Sequence, residues 1–180
     1  FISRTPARPG RKTSFVFLPH LHYNTLSGSY RFHRRKNRCQ GKESIPLTDR
    51  ELVDLAFEML SRSYVPYSGF PVGAALLCAD GAVFTGCNVE NAAYGSTICA
   101  ERTALVKAVS EGRRDDFVKL AVVGNSKDYC WPCGACRQML YEFAPGLTLL
   151  VARGDRSFVT LPLHELLPHG FGPKDLEQTP

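Results

Sequence analysis

Two short stretches hold the side chains best suited to chemistry. "CWPCGAC" at 130–136 sets Cys130, Cys133 and Cys136 in two overlapping C-x-x-C spacings, and "CAE" at 99–101 puts a carboxylate two residues after Cys99. Each stretch runs into a helical pattern, so Cys99, Cys133 and Cys136 fall at predicted helix starts. A helix N-terminus carries unsatisfied N–H groups and about half a positive charge, which favours thiolate over thiol. Cysteines three apart on a first turn point to one side. A third thiolate from the second helix completes a set for one Zn²⁺ per chain with a fourth position open, the arrangement of a catalytic site. Glu101 beside that position can take a proton from water and hand it to a substrate.

Plainer readings stand beside this one. A lone C-x-x-C also serves redox dithiols and structural zinc. Cys130 would close a four-thiolate structural site, but it precedes Pro132 and so lies ahead of the helix start, and such a site has no use for Glu101. A redox dithiol belongs to a strand–C-x-x-C–helix unit standing alone, which is not the pattern here. Cys39, Cys78, Cys87 and Cys130 read as small core or surface residues. Arg102 reads either as a solvent-facing helix residue or as a cation that withdraws charge from three thiolates.

The elements that must position these groups follow from the pattern around them. Thr48 and Glu51 have capping-box spacing and open a helix with Leu52, Leu55, Ala56 and Met59 on one face, ending before Pro66. "VGAALLCADGAVFTGCNVE" is a hairpin about Asp80-Gly81; "CAERTALVKAVSEG" is a helix with Gly112 as its C-cap. "FVKLAVVGN" is apolar throughout, as a strand covered on both faces must be. "CRQMLYEFA" is a helix stopped at Pro145-Gly146, two strands flank Gly154-Asp155, and a short helix with a Pro/Gly tail follows. Helices alternating with buried strands predict a three-layer α/β/α domain with a mixed sheet.

The chain has 180 residues, 44% hydrophobic and 22% charged, enough for one globular domain with a core. No apolar run approaches the ~18 residues of a membrane helix. Seven cysteines, odd in number and clustered, argue against a secreted disulfide framework. The net charge of +5 conceals a division: residues 1–42 hold ten Lys or Arg and no acid, leaving 12 basic and 17 acidic residues after them. We therefore expect a basic, mostly disordered arm over 1–44 and a folded domain over 45–180. The arm's Arg and Ser content is like that of an organelle transit peptide, so the protein is expected in the cytoplasm or in an organelle to which the arm directs it.

Taken together, "FPVGAALL", "GCNVENAAYGSTICAERTAL", "SEG", "PCGACRQ" and "ELLPHGFGP" resemble the cytidine deaminases of the small, homotetrameric, free-nucleoside class. The pattern C-A-E followed by P-C-x-x-C is the zinc deaminase signature in its all-cysteine form. The resemblance covers about residues 47–180 and implies a mixed five-stranded sheet flanked by helices. It also implies hydrolysis of cytidine and deoxycytidine to uridine and deoxyuridine plus ammonia, the chemistry of pyrimidine salvage. Position by position, it makes Cys99, Cys133 and Cys136 the zinc ligands and Glu101 the acid/base. It assigns Asn88 and Glu90 to the ribose hydroxyls and Phe70 to the base. Ala100, Tyr94 and Phe171 complete the pocket, Phe171 from a neighbouring subunit, and Gln138 supports it. From the residues alone, Asn88 and Glu90 read as a turn at a strand end and Phe70 as an ordinary core residue. Two other functions fit part of the pattern: deamination of another aminopyrimidine nucleoside such as blasticidin, and a zinc-stabilised nucleic-acid-binding module. The acidic balance of the domain speaks against the second, since nucleic acid asks for a basic stripe on the folded part. No specific nucleic acid and no membrane are expected as partners.

Overall fold

Thr48 fixes where the folded domain begins. Its hydroxyl accepts the Glu51 N–H at 3.2 Å, while the Glu51 carboxylate accepts the Thr48 N–H at 2.8 Å. This reciprocal box opens α1 (Asp49–Glu58), which tightens into a 3₁₀ turn over Met59–Arg62. Leu52, Val53 and Ala56 are the residues α1 buries, so its face is turned toward Val53 relative to the expected stripe, and Leu55 is half-buried.

The structure, a computed structural model, describes residues 47–176 together with the backbone of 21–24 and 29–32. The chain divides into two compact units, Phe1–Glu43 and Ser44–Pro180. In the first, β1 (Leu21–Asn24) pairs antiparallel with β2 (Ser29–Phe32), Leu21 opposite Phe32 and Tyr23 opposite Tyr30. This strand pair lies within the span expected to be a mostly disordered arm; strands of four residues are too short for a period of two to stand out in the sequence. The remainder of that expected arm, Cys39 included, lies outside the described residues.

In the second unit β3 (Val72–Cys78) and β4 (Val83–Cys87) form the hairpin, with Gly81 at φ 87° in its turn. There follow α2 (Ala100–Ser110), β5 (Phe117–Gly124), α3 (Gly134–Phe143), β6 (Thr148–Ala152), β7 (Phe158–Pro162) and α4 (Leu163–Leu166). The five strands stand in the order β4-β3-β5-β6-β7. β5 and β6 are parallel and the other neighbours antiparallel, so β4, β5 and β6 all run the same way. Alternate residues of the central strands feed two cores. Ala75, Leu77, Ala121, Val123 and Leu150 pack with α1 on one face; Ala74, Leu76, Leu120, Val122 and Val151 pack with α2 and α3 on the other. This is the expected three-layer α/β/α domain with a mixed five-stranded sheet.

The topology explains why the chemistry gathers at one edge. α2 follows β4 and α3 follows β5, two strands of one direction, and both helices cover the same face. Their N-termini therefore lie at the same end of the sheet, where open α/β sheets place ligands. Close contact of α2 with β4 depends on Gly86, where a Cβ would stand 2.3 Å from the Ala100 backbone oxygen and 2.5 Å from the Ala104 nitrogen. Neither atom can yield without moving the helix. Gly86→Ala is expected to destabilise the fold by about 1–3 kcal/mol through overpacking and to displace the start of α2. A urea titration checks the first effect and zinc per folded chain the second; an unchanged midpoint with full metal would show that α2 is not seated on Gly86.

Candidate active site

Each of the three cysteines is placed by a helix start. Cys99 is the N-cap of α2, Cys133 is the N-cap of α3, and Cys136 sits buried in the first turn of α3. Cys99 Sγ and Cys133 Sγ are 3.8 Å apart, Cys133 Sγ and Cys136 Sγ 3.5 Å, and all three sulfurs lie within 4.8 Å of one another. Neither helix receives a side-chain cap hydrogen bond, in contrast to α1. Cys130 is outside the group: it lies ahead of the helix, donates its backbone N–H to Ala152 O at 3.1 Å and packs half-buried against the core.

Charge at the sulfurs is unevenly shared. The Cys99 thiol is pushed down to about 5, first by hydrogen bonding from the Cys136 thiol and then by the Arg102 guanidinium. Cys136 moves the opposite way, because a second thiolate beside Cys99 and away from water is disfavoured. Metal ligation needs thiolates, so a cation bound by the three sulfurs would displace the protons they hold. Arg102 Nη2 reaches Cys99 Sγ at 3.5 Å and Thr97 O at 2.9 Å, so it turns toward the sulfurs and not to solvent. The donor set therefore fits a soft divalent ion: three thiols in contact, two helix N-termini and a cation to offset surplus charge.

Glu101 lies on the first turn of α2 and is 3% exposed. Burial, with the Cys99 thiolate nearby, pushes its carboxyl up to about 7. A carboxyl held near neutrality can both accept and donate a proton, as acid–base work requires. Ala100, beside it at the start of the helix, is fully buried.

The other expected residues divide into three places. Asn88 is buried, and its carboxamide bridges the strand entry, accepting the Val72 N–H and donating to Phe70 O, both at 2.9 Å. Its first task is to hold Phe70 and Val72 in place. Glu90 accepts the backbone N–H groups of Tyr67 and Ser68 at 2.9 and 3.2 Å, and with Tyr67, Ser68, Tyr94 and Thr97 it lines a cavity of about 400 Å³. Tyr94 and Tyr67 meet edge to face across it, ring centres 5.8 Å apart. None of the sulfurs and not Glu101 line that cavity, which lies to the Glu90 side. Phe171 is 59% exposed, and its carbonyl accepts Gln138 Nε2 at 2.7 Å, which ties the C-terminal tail to α3.

One supporting residue escapes the sequence reading. Arg137 Nε donates to Pro132 O at 2.7 Å and Nη1 to Leu166 O at 3.0 Å, so it holds the turn before Cys133 against the end of α4. Nothing in the spacing separates this arginine from a solvent-facing one.

A three-layer α/β/α domain with three clustered cysteines and a buried carboxyl at one end of its sheet suits a metal-dependent hydrolase. Residues 46–151 match the family described as the cytidine and deoxycytidylate deaminase zinc-binding region. The chain is 50% identical over 132 residues to the cytidine deaminase of Halalkalibacterium halodurans, covering 71% of this chain and 98% of that one. It is 46% identical over 125 residues to a probable cytidine deaminase of Dictyostelium discoideum, covering 69% and 84%. The crystal structure of cytidine deaminase from Burkholderia pseudomallei superposes with a TM-score of 0.67 at 44% identity, covering 69% of this chain and 99% of that one. The chain belongs to the zinc-dependent cytidine and deoxycytidylate deaminase family.

The three-sulfur grouping makes a direct forecast. Cys133→Ser is expected to strip zinc and Cys130→Ser to retain one equivalent per chain, read by elemental analysis of the purified protein. An exchange of the two phenotypes would place the ligand at Cys130.

Proposed function

We propose that this chain hydrolyses cytidine and deoxycytidine to uridine and deoxyuridine with release of ammonia, as an enzyme of pyrimidine salvage. The observation that carries the reading is a buried carboxyl, Glu101, two residues from one member of a three-thiol group. Zinc held by Cys99, Cys133 and Cys136 supplies acidification of water toward pKa ~7. Glu101 accepts the proton that water gives up and passes it to N3 of the ring, which makes C4 electrophilic. After oxygen adds at C4, Glu101 takes the remaining proton of that hydroxyl and delivers it to the amino nitrogen; the C–N bond breaks, ammonia leaves and the C4 oxygen becomes the carbonyl. Arg102 offsets charge at Cys99, and Ala100 presents its backbone to the pyrimidine. Phe70 packs on the base while Asn88 and Glu90 take the ribose hydroxyls, and Tyr94 closes the near side.

The tail suits an assembly. Phe171 projects from a segment anchored by Gln138, and Tyr64, Tyr67, Tyr94 and Trp131 also leave large apolar surfaces in water. A homotetramer in which Phe171 completes a neighbour's pocket and Gln138 supports it accounts for that exposure. Among the described residues no helix is long and apolar enough to cross a membrane. We place the enzyme in the cytoplasm or in an organelle reached through the basic arm.

Glu101→Gln keeps the shape of the side chain and loses the proton. It is expected to retain fold and zinc while turnover falls by ~10²–10⁴ or more, since one group handles several transfers. Ultraviolet loss of cytidine absorbance measures this; near-normal turnover removes the acid/base role.

The second test separates enzyme from nucleic-acid-binding module. Ten basic charges in residues 1–42 favour polyanions at low salt whatever the active site does. A chain beginning near residue 44 is expected to elute as a tetramer, deaminate cytidine fully and lose retention on RNA or DNA. Neither form should deaminate cytosine within an oligonucleotide. Editing of single strands by the full chain alone would make the arm a substrate guide and overturn the nucleoside reading.

A further inference from the structure

Of the three sulfurs in "CWPCGAC", Cys130 has no part in the metal group, yet it lies within reach of the site. A Cβ built on Gly124, the last residue of β5, would stand 2.9 Å from Phe70 Cζ, 3.1 Å from Phe70 Cε1 and 3.1 Å from Cys130 Sγ. Gly124 is not among the glycines of positive φ, so its backbone conformation is open to any residue. What demands glycine here is space. The edge of the Phe70 ring and the Cys130 sulfur converge on the point a methyl group would fill.

The backbone of Phe70 is fixed from other directions. Its N–H donates to Ser68 Oγ at 3.0 Å and its carbonyl accepts Asn88 Nδ2 at 2.9 Å. With both ends of the residue held, the freedom left to Phe70 is where its ring settles. We infer that Gly124 and Cys130 are positioning residues that set the ring of Phe70 and, through it, the fit of the pyrimidine base. The inference rests on the reading of Phe70 as the base contact. It accounts for the extra sulfur: a thiol is small and polarisable, and it fills the gap beside an aromatic edge without displacing it.

The structure also indicates which group gives way under crowding. Phe70 is 41% exposed, whereas Cys130 packs half-buried against the core. A methyl at 124 therefore moves the ring outward and leaves the sheet in place. Ring contacts with a base are sensitive to such a shift, whereas the sulfurs and Glu101 stay where they are. The signature is a change in KM much larger than the change in kcat.

The experiment compares the full chain with Gly124→Ala, Phe70→Ala, the double variant and Cys130→Leu, with cytidine as substrate and zinc content and melting temperature measured alongside. Gly124→Ala is expected to raise KM roughly 3- to 10-fold, the scale of one aromatic contact, with kcat within about twofold and zinc retained. In the Phe70→Ala background the same change should be silent, because no ring remains to displace. Cys130→Leu crowds the point from the other side and should also raise KM, which preserves the test if Gly124→Ala does not fold. An unchanged KM in Gly124→Ala or Cys130→Leu, beside a raised KM in Phe70→Ala, overturns the seat and leaves the base contact standing. An equal effect of Gly124→Ala with and without Phe70 also overturns it. An unchanged KM in Phe70→Ala refutes the base contact itself, and the inference falls with it.

Discussion

Everything chemical in this domain depends on bringing two helix N-termini to one point. The parallel run of β4 and β5 sends α2 and α3 off from the same end of the sheet, and Gly86 lets α2 settle close enough to matter. Each of these helices begins on a cysteine that caps poorly, where Ser, Thr, Asp or Asn would contribute ~1 kcal/mol. Other bonds steady the starts instead. Arg137 holds the carbonyl before Cys133, and Thr103 Oγ1 donates to Cys99 O at 3.2 Å. The two helices trade stability for reactive ends, a bargain typical of catalytic sites.

The opposite face carries the compensating order. α1 has a complete capping box, and Lys119 on β5 reaches Asp49 at 2.5 Å. Arg156 adopts φ 67° in the turn before β7, pairs with Asp54 at 2.5 Å and lies over the Phe57 ring. Arg50 stacks over Phe158 from the same helix. None of these groups touches the sulfurs. The layer away from the chemistry is stitched by charge and aromatic contacts, while the layer that bears it is held by close backbone approach.

Much of the site is legible in the chain because its signals are local. Cys99 with Glu101, and Cys133 with Cys136, lie within a turn of each other, and the helix period around them is short-range. The capping box at Thr48 and the hairpin at Gly81 are equally local, and both are present. What could not be read is contact between distant segments. Asn88 reads as a turn residue, yet its carboxamide also bonds Phe70 and Val72 at the entry to β3. Asp80 and Asp116 look like separate surface acids until Arg113 is found between them, paired to both. Placement of β3 between β4 and β5 is a property of the whole sheet, and so is the gap at Gly124. The family resemblance named residues for the nucleoside, but not which of them hold the frame that presents the others.

The contact between Cys99 and Cys133 joins residues 34 apart in sequence. A metal held by both sulfurs would close that stretch of chain into a ring that contains β5 and its connections. For a covalent crosslink, a loop of this length withholds on the order of 3–4 kcal/mol of conformational freedom from the unfolded ensemble. Such a tie would act as a staple as well. The central strand of the sheet is the segment enclosed, so an ion held there would also limit how far an unfolding chain can stray from its native topology.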